Sequence, residues 1–164
     1  MKKKITVFAL ALVLLFGISA CGKSGNEKAT DFTASTLDGR TVSLSDYTGR
    51  VVVINFWGTW CPYCVMEMED IYAATQTYPD VVFLMVNTSQ SLGHESADTI
   101  NAYFDLAGFT FDNIILNESV AQSYGVRSFP TTYVIDAQGN VYDKVTGTVD
   151  GTTLGTMIEK AGQQ

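Results

Sequence analysis

Cysteine, histidine and basic charge are all scarce in this 164-residue chain, and each shortage excludes something. There are three cysteines and a single histidine, His94. A structural zinc site wants four ligands, usually two cysteine pairs or one pair with histidines. Beyond residue 30 only Cys61, Cys64 and His94 are on offer, so a closed metal site in one chain would need a carboxylate as well, and none is expected. The cysteine pair is followed by Val65 rather than histidine, which removes the signature of haem attachment. Lysine and arginine total 10 against 17 acids, with no basic stripe of the kind a nucleic-acid binder shows. The acids are spread along the chain and read as a solvated surface. Internal repeats and low-complexity runs are absent too.

The longest apolar run stands at the start. Lys2, Lys3 and Lys4 precede an apolar stretch from Ile5 to Ile18, interrupted by Thr6 and Gly17 and closed by Ser19 and Ala20 before Cys21. Charge, apolar stretch and small residues in that order are expected of a secretory signal over residues 1–20. The run is shorter than the roughly 18 residues a spanning helix needs, which disfavours an uncleaved anchor. Without the leader, seven basic residues face seventeen acids, a net charge of −10. Residues 22–30, GKSGNEKAT, are polar and small and are expected to form a flexible tether. The remainder, 31–164, is long enough for one domain with a core that needs no disulfide to fold.

Within that domain, two loosely alternating stretches flank Asp38-Gly39, a hairpin signal. Residues 51–56 (VVVINF) and 81–86 (VVFLMV) are runs rich in β-branched and aromatic residues, as in strands buried on both faces. Between them, Val65, Met68, Ile71, Tyr72 and Thr75 recur at helical spacing, and Pro62 suits a first helical position. Strand, helix and strand make a βαβ unit with the cysteine pair at the strand-to-helix junction. Further helices are expected over 98–107, 119–124 and 152–161, and strands over 113–116, 131–135 and 141–145. The class is α/β: a βαβ half, then a ββα half, around one mixed sheet.

The pair in WCPYCVMEME (residues 60–69) has three possible uses. A metal clip lacks ligands. A structural bridge across two residues closes so small a loop that it hardly constrains the unfolded chain. A redox couple fits the local physics. Cys61 sits at a helix start, where unpaired N–H groups and the helix dipole favour an anion and lower a thiol pKa. It is expected to be an exposed nucleophilic thiolate, with Cys64 one turn in, shielded and able to resolve a mixed disulfide. Glu67 follows Cys64 by three residues on the same helix face. By spacing alone it is equally a proton acceptor for the inner thiol and a surface acid near a helix N-terminus. Pro130, directly before a strand, restricts Phe129 to extended geometry. Base rates for such a bond favour trans.

Two segments carry a resemblance. VVVINFWGTWCPYC and GVRSFPTTYVIDAQGNVYDKVTG resemble the active-site and later segments of the TlpA/ResA/CcmG-like proteins, a branch of the thioredoxin fold. The likeness runs from about Asp31 to the C-terminus. It implies a central mixed sheet flanked by helices, with an N-terminal β-hairpin. It further implies that Cys61 attacks, that Cys64 resolves, and that Glu67 is a buried acid serving the inner thiol's proton. Trp57 and Trp60 would pack beside the site, and Asn55 stands where cytosolic thioredoxins keep a buried aspartate. Pro130 would be cis and set against the disulfide, with Phe129 offering backbone hydrogen bonds to an extended substrate that Trp60, Pro62 and Tyr63 also contact. No cofactor beyond the Cys61–Cys64 disulfide is implied. Separately, ISACG (residues 18–22) resembles the lipobox of bacterial lipoproteins, in which the cysteine, here Cys21, is lipidated. Two acyl chains suffice for stable anchoring.

The expected function is an extracytoplasmic, membrane-anchored thiol–disulfide oxidoreductase, more a reductant of selected disulfides in exported proteins than a general oxidase. Cytochrome c maturation and related envelope tasks are compatible with it. Recharging would require a membrane electron donor of the CcdA/DsbD-like kind. A lipoprotein oxidase that installs disulfides is the alternative, and a thioredoxin-fold binding lipoprotein with idle cysteines is the alternative from another class. Two departures bear on direction. The order Cys-Pro-Tyr-Cys resembles glutaredoxins, so the potential is open between roughly −270 and −120 mV, and bulky Phe129 narrows the expected substrate groove.

Overall fold

The β-branched and aromatic runs become the two central strands, β3 (Val52–Trp57) and β4 (Val82–Asn87), parallel neighbours joined through helix α1 (Pro62–Thr77). The computed structural model describes residues 27–88 and 95–164. Strand β6 (Thr131–Ile135) pairs antiparallel with β3, β7 (Val141–Thr146) antiparallel with β6, and β5 (Ile114–Leu116) parallel with β4. The order β5-β4-β3-β6-β7 is the mixed sheet expected. A separate hairpin, β1 (Thr33–Ser35) with β2 (Thr41–Ser43), sits at the β5 edge, tied there by the Thr36–Ile115 bridge and by Leu37 N–H donating to the Ile114 carbonyl at 2.8 Å. A short 3₁₀ turn at Leu44–Tyr47 follows, which the pattern reading did not anticipate.

Strand alternation sorts the core into two layers. Val53 and Trp57 of β3, with Phe83 and Met85 of β4, face α1, α2 (Ala97–Ala107) and α4 (Gly151–Ala161). Val52, Ile54 and Phe56, with Val82, Leu84 and Val86, face the hairpin and α3 (Glu118–Ser123). Helix α2 is capped by Ser96, whose side chain accepts from Thr99 N–H, and ends at Gly108, where φ of 70° is reached without a Cβ penalty.

Two expectations need correction. The buried stripe of α1 is Cys64, Glu67, Met68, Ile71 and Ala74. Val65 is exposed, while Tyr72 and Thr75 are only half-buried. The helix is rotated so that Cys64 rather than Val65 faces the sheet, and an acid therefore replaces an apolar residue in the stripe. Residues 27–30, assigned to the flexible tether, lie instead against the β7 side of the domain. Val141 N–H donates to the Glu27 carbonyl at 2.8 Å, Ala29 N–H to the Gly139 carbonyl at 3.0 Å, and the Tyr124 hydroxyl to the Thr30 carbonyl at 2.8 Å. Backbone groups that a polar composition leaves free are taken up by the turn and edge beside them. The leader and Cys21 lie outside the described residues, as does His94. Among the described residues no helix is long and apolar enough to cross a membrane.

Ile71 is fully buried where α1 meets the sheet. Ile71→Ala should lower the unfolding free energy by about 2–5 kcal/mol, the cost of lost burial plus a cavity. Urea denaturation measures it, and a loss under about 1 kcal/mol would place the main α1 contact elsewhere.

Candidate active site

The carboxyl ends of β3 and β4 and the start of β6 form one rim of the sheet. In register, Trp57 is opposite Asn87 and Phe56 is opposite Thr131. The chain leaves β3 through Gly58, Thr59 and Trp60 and enters α1 at Cys61, whose N–H donates to the Gly58 carbonyl at 3.2 Å. Cys61 is the N-cap of α1, with Pro62 in the first turn. Its Sγ accepts from the backbone N–H of Cys64 at 3.2 Å, so an otherwise orphaned helix donor points at the sulfur. Cys61 and Cys64 are joined in a disulfide, with Cα atoms 5.2 Å apart.

Cys64 is completely buried, as expected; Cys61, expected to be exposed, is only 4% exposed. Both belong to the apolar layer that contains Trp57 and Met68. An N-cap residue on a helix laid against the sheet is carried inward with its first turn, and in the disulfide its sulfur is tied to an inward-facing partner.

Glu67 decides between the two readings of its spacing: it is 2% exposed and is no surface acid. Its Oε1 accepts from Asn55 Nδ2 at 2.8 Å, and its Oε2 accepts from the backbone N–H of Val149 at 2.8 Å. Asn55 Nδ2 donates as well to Thr132 Oγ1 at 3.0 Å, so β3, β6, α1 and the loop before α4 meet at this carboxyl. Burial pushes the Glu67 carboxyl up to about 7; the donors on Val149 and Asn55 oppose the rise, and the charge of Asp70 adds to it. A carboxyl with a pKa raised that far has the proton affinity that general acid–base chemistry near neutral pH requires.

The Phe129–Pro130 bond is cis, and Pro130 is buried at the entry to β6. Phe129 is half-buried and meets Trp60 edge-on with ring centroids 5.6 Å apart, joining the cysteine loop to the cis-proline loop. Pro62 and Tyr63 are exposed, whereas Trp57 is fully buried against Tyr103 and Phe104. Exposed Val65 and Met66 extend this apolar rim beyond the residues singled out from sequence. A second buried acid was missed altogether. Glu95, 9% exposed, accepts from Thr59 N–H and, at 2.6 Å, from Asn87 Nδ2. Its only local signal is an acid before a capping serine, because its described partners lie 8 and 36 positions away. A cleft of about 710 Å³ lined by Arg40, Arg50, Thr75 and Val81 lies at the opposite end of β4 and shares no residue with the site.

A disulfide at a helix start, beside a cis-proline and above a buried acid on this sheet, defines a thioredoxin-like oxidoreductase. The chain belongs to the AhpC/TSA family, whose model matches residues 26–144. It is 35% identical over 156 residues to the thiol-disulfide oxidoreductase ResA of Geobacillus thermodenitrificans, covering 88% of this chain and 86% of that protein. It is 33% identical over 128 residues to the thioredoxin-like protein YneN of Bacillus subtilis, covering 78% and 75%. Among solved structures, the exposed lipoprotein thioredoxin of Streptococcus pneumoniae matches with a TM-score of 0.67 at 26% identity, over 80% of this chain and 99% of that one. The resemblance and the fold read from sequence both hold. The protein is a thiol–disulfide oxidoreductase of the ResA type with a Cys61–Cys64 pair.

The Glu67 carboxyl has a measurable signature in the oxidised protein, where neither cysteine titrates. Between its ordinary value of 4.5 and about 7 the folded protein keeps the proton that the unfolded chain has lost. Stability therefore falls as pH rises through that window, by about 3 kcal/mol in all, and levels off above it. Glu67→Gln should remove this slope. Denaturant unfolding of both oxidised proteins at pH 5 and pH 8 checks it; parallel losses in the two would refute the assignment.

Proposed function

We propose that this protein is a membrane-tethered reductase of selected disulfides in exported proteins, anchored by lipid on Cys21 and recharged by a membrane dithiol donor of the CcdA/DsbD-like kind. Cys61 attacks, as thiolate, one sulfur of the substrate disulfide. That S–S bond breaks, one substrate sulfur departs as thiolate and is protonated, and Cys61 is left in a mixed disulfide. Cys64 Sγ then attacks Cys61 Sγ, giving its proton to the Glu67 carboxylate. The mixed disulfide breaks, the second substrate thiol leaves, and two electrons have passed. Trp60, Pro62, Tyr63, Phe129 and Pro130 form the surface that receives the substrate chain. ResA and the pneumococcal lipoprotein thioredoxin support this reading by their similarity to the chain.

The observation that carries the direction is the burial of Glu67 one helical turn beyond Cys64. Oxidants of this kind owe their high potential to a stabilised reduced form. Here a thiolate must form near a carboxylate. At an effective dielectric of about 20, like charges a helical turn or more apart repel by on the order of 2 kcal/mol. The helix N-terminus returns only about 0.3–1 kcal/mol. The balance disfavours the reduced, thiolate-bearing state and so favours giving electrons away.

Two measurements test the reading. Cys64→Ala, expressed in intact cells, should accumulate mixed disulfides between Cys61 and exported proteins; recovery of none, or of cytosolic proteins alone, rules it out. The equilibrium potential against dithiothreitol should lie near the thioredoxin end, about −270 mV, and become less negative by roughly 40 mV in Glu67→Gln at pH 8. A wild-type value near about −120 mV would instead assign the protein to disulfide installation.

A further inference from the structure

Glu95 is a buried acid that the proposed cycle does not use. Its partners among the described residues are Thr59 and Asn87. Asn87, the last residue of β4, is fully buried, pairs with Trp57 across the sheet, and accepts from Asn117 N–H at 3.0 Å through its own carbonyl. Asn87 Nδ2 donates to Glu95 Oε2 at 2.6 Å, and Thr59 N–H donates to Glu95 Oε1. The carboxylate thus bridges the rigid end of the sheet to the loop that delivers Cys61, two residues further on. The other side of that loop is crowded. A Cβ on Gly58 would lie 2.4 Å from Trp60 Nε1, so the indole covers the backbone there.

Glu95 does not serve as the cap of α2, because Ser96 does. Among the described residues no lysine or arginine pairs with it. Taking a carboxylate out of water is costly unless hydrogen bonds replace hydration, and both replacements come from the scaffold of the redox couple. We propose that Glu95 is a positioning residue: it ties the 58–60 loop to the end of β4 and so fixes where Cys61 meets the N-terminus of α1. This inference rests on the reading of Cys61 as the attacking thiol. A shift of about 1 Å at a reacting group can cost on the order of a hundredfold in rate, so a clamp two residues away is felt at the sulfur.

The experiment uses the full chain, reduced, with iodoacetamide as probe and mass spectrometry to read alkylation at each cysteine, per folded molecule by circular dichroism. Glu95→Gln keeps an oxygen to accept from Thr59 and an amide that can meet the Asn87 side chain; Glu95→Ala keeps neither. The expected result is a Cys61 rate at least tenfold slower in Glu95→Ala and within about threefold of wild type in Glu95→Gln. Equal rates in wild type and Glu95→Ala would reduce Glu95 to a contribution to stability and overturn the inference. So would equal changes in both variants, which would make the effect one of charge rather than of position. If Glu95→Ala does not fold, Glu95→Asp, too short by one methylene to span both donors, takes its place with the same expectation. Faster alkylation of Cys64 than of Cys61 in the wild-type protein would sink the underlying function itself, a result distinct from either of these.

Discussion

Four parts of the fold converge on the Glu67 carboxyl. Asn55 of β3 and the backbone of Val149 each give it an N–H, and Asn55 reaches on to Thr132 of β6. A carboxyl inside a protein without a basic partner persists only where its oxygens are hydrogen-bonded. That need fixes the rotation of α1 against the sheet. With Glu67 inward, Cys64 three residues before it and Ile71 four after it are inward as well, and Met68 and Ala74 complete the buried stripe. The complete burial of the inner cysteine and the elevated proton affinity of the acid are therefore two consequences of one contact.

The same contact decides where the chemistry sits. Parallel strands β3 and β4 both end at the rim, and their connections leave the sheet there, the usual place for a site in α/β proteins. Antiparallel β6 runs the other way, so its beginning, with cis Pro130, is delivered to the rim that ends β3. The Trp60–Phe129 ring contact then joins two loops that lie far apart in sequence. Helix, strand ends and cis-proline loop are brought together by topology, and at the helix start the Cys61 sulfur is itself the cap that accepts from Cys64 N–H.

Most of the architecture was legible because its signals are local. VVFLMV is apolar throughout and VVVINF is apolar but for Asn55, which a strand covered on both faces tolerates, and Asp38-Gly39 and Gly108 mark turns by their conformational freedom. What escaped depends on partners remote in sequence. The 27–30 segment looks like a tether until the β7 side takes up its backbone groups. Helical spacing alone put Val65 in the stripe, since a period does not say which rotation an acid's hydrogen bonds will select. Glu67 was balanced between two roles because spacing defines a face, whereas burial depends on Asn55 and Val149. Glu95 left almost no trace, with one donor 36 positions away at Thr59. Exposure of Cys61 was overestimated for a related reason: an N-cap is exposed on an isolated helix and covered on one docked to a sheet.

Burial of Cys61 changes what a substrate must do. Of the five large apolar side chains exposed among the described residues, four are Trp60, Tyr63, Val65 and Met66, all within a seven-residue stretch around the cysteines. On a chain with a formal net charge of −7, apolar exposure so concentrated costs solubility where it is most visible, and such patches mark sites of contact. In the proposed cycle the rim supplies the binding surface and the sulfur lies just beneath it. A folded partner with a convex, charged surface has little to gain from such a rim. On that proposal, an extended segment with apolar side chains beside its disulfide would gain the rim's burial and reach a sulfur that a rigid surface would not. Under the proposed function, selectivity would reside in access, set by Trp60 and Phe129 at the mouth, more than in the reactivity of the pair itself.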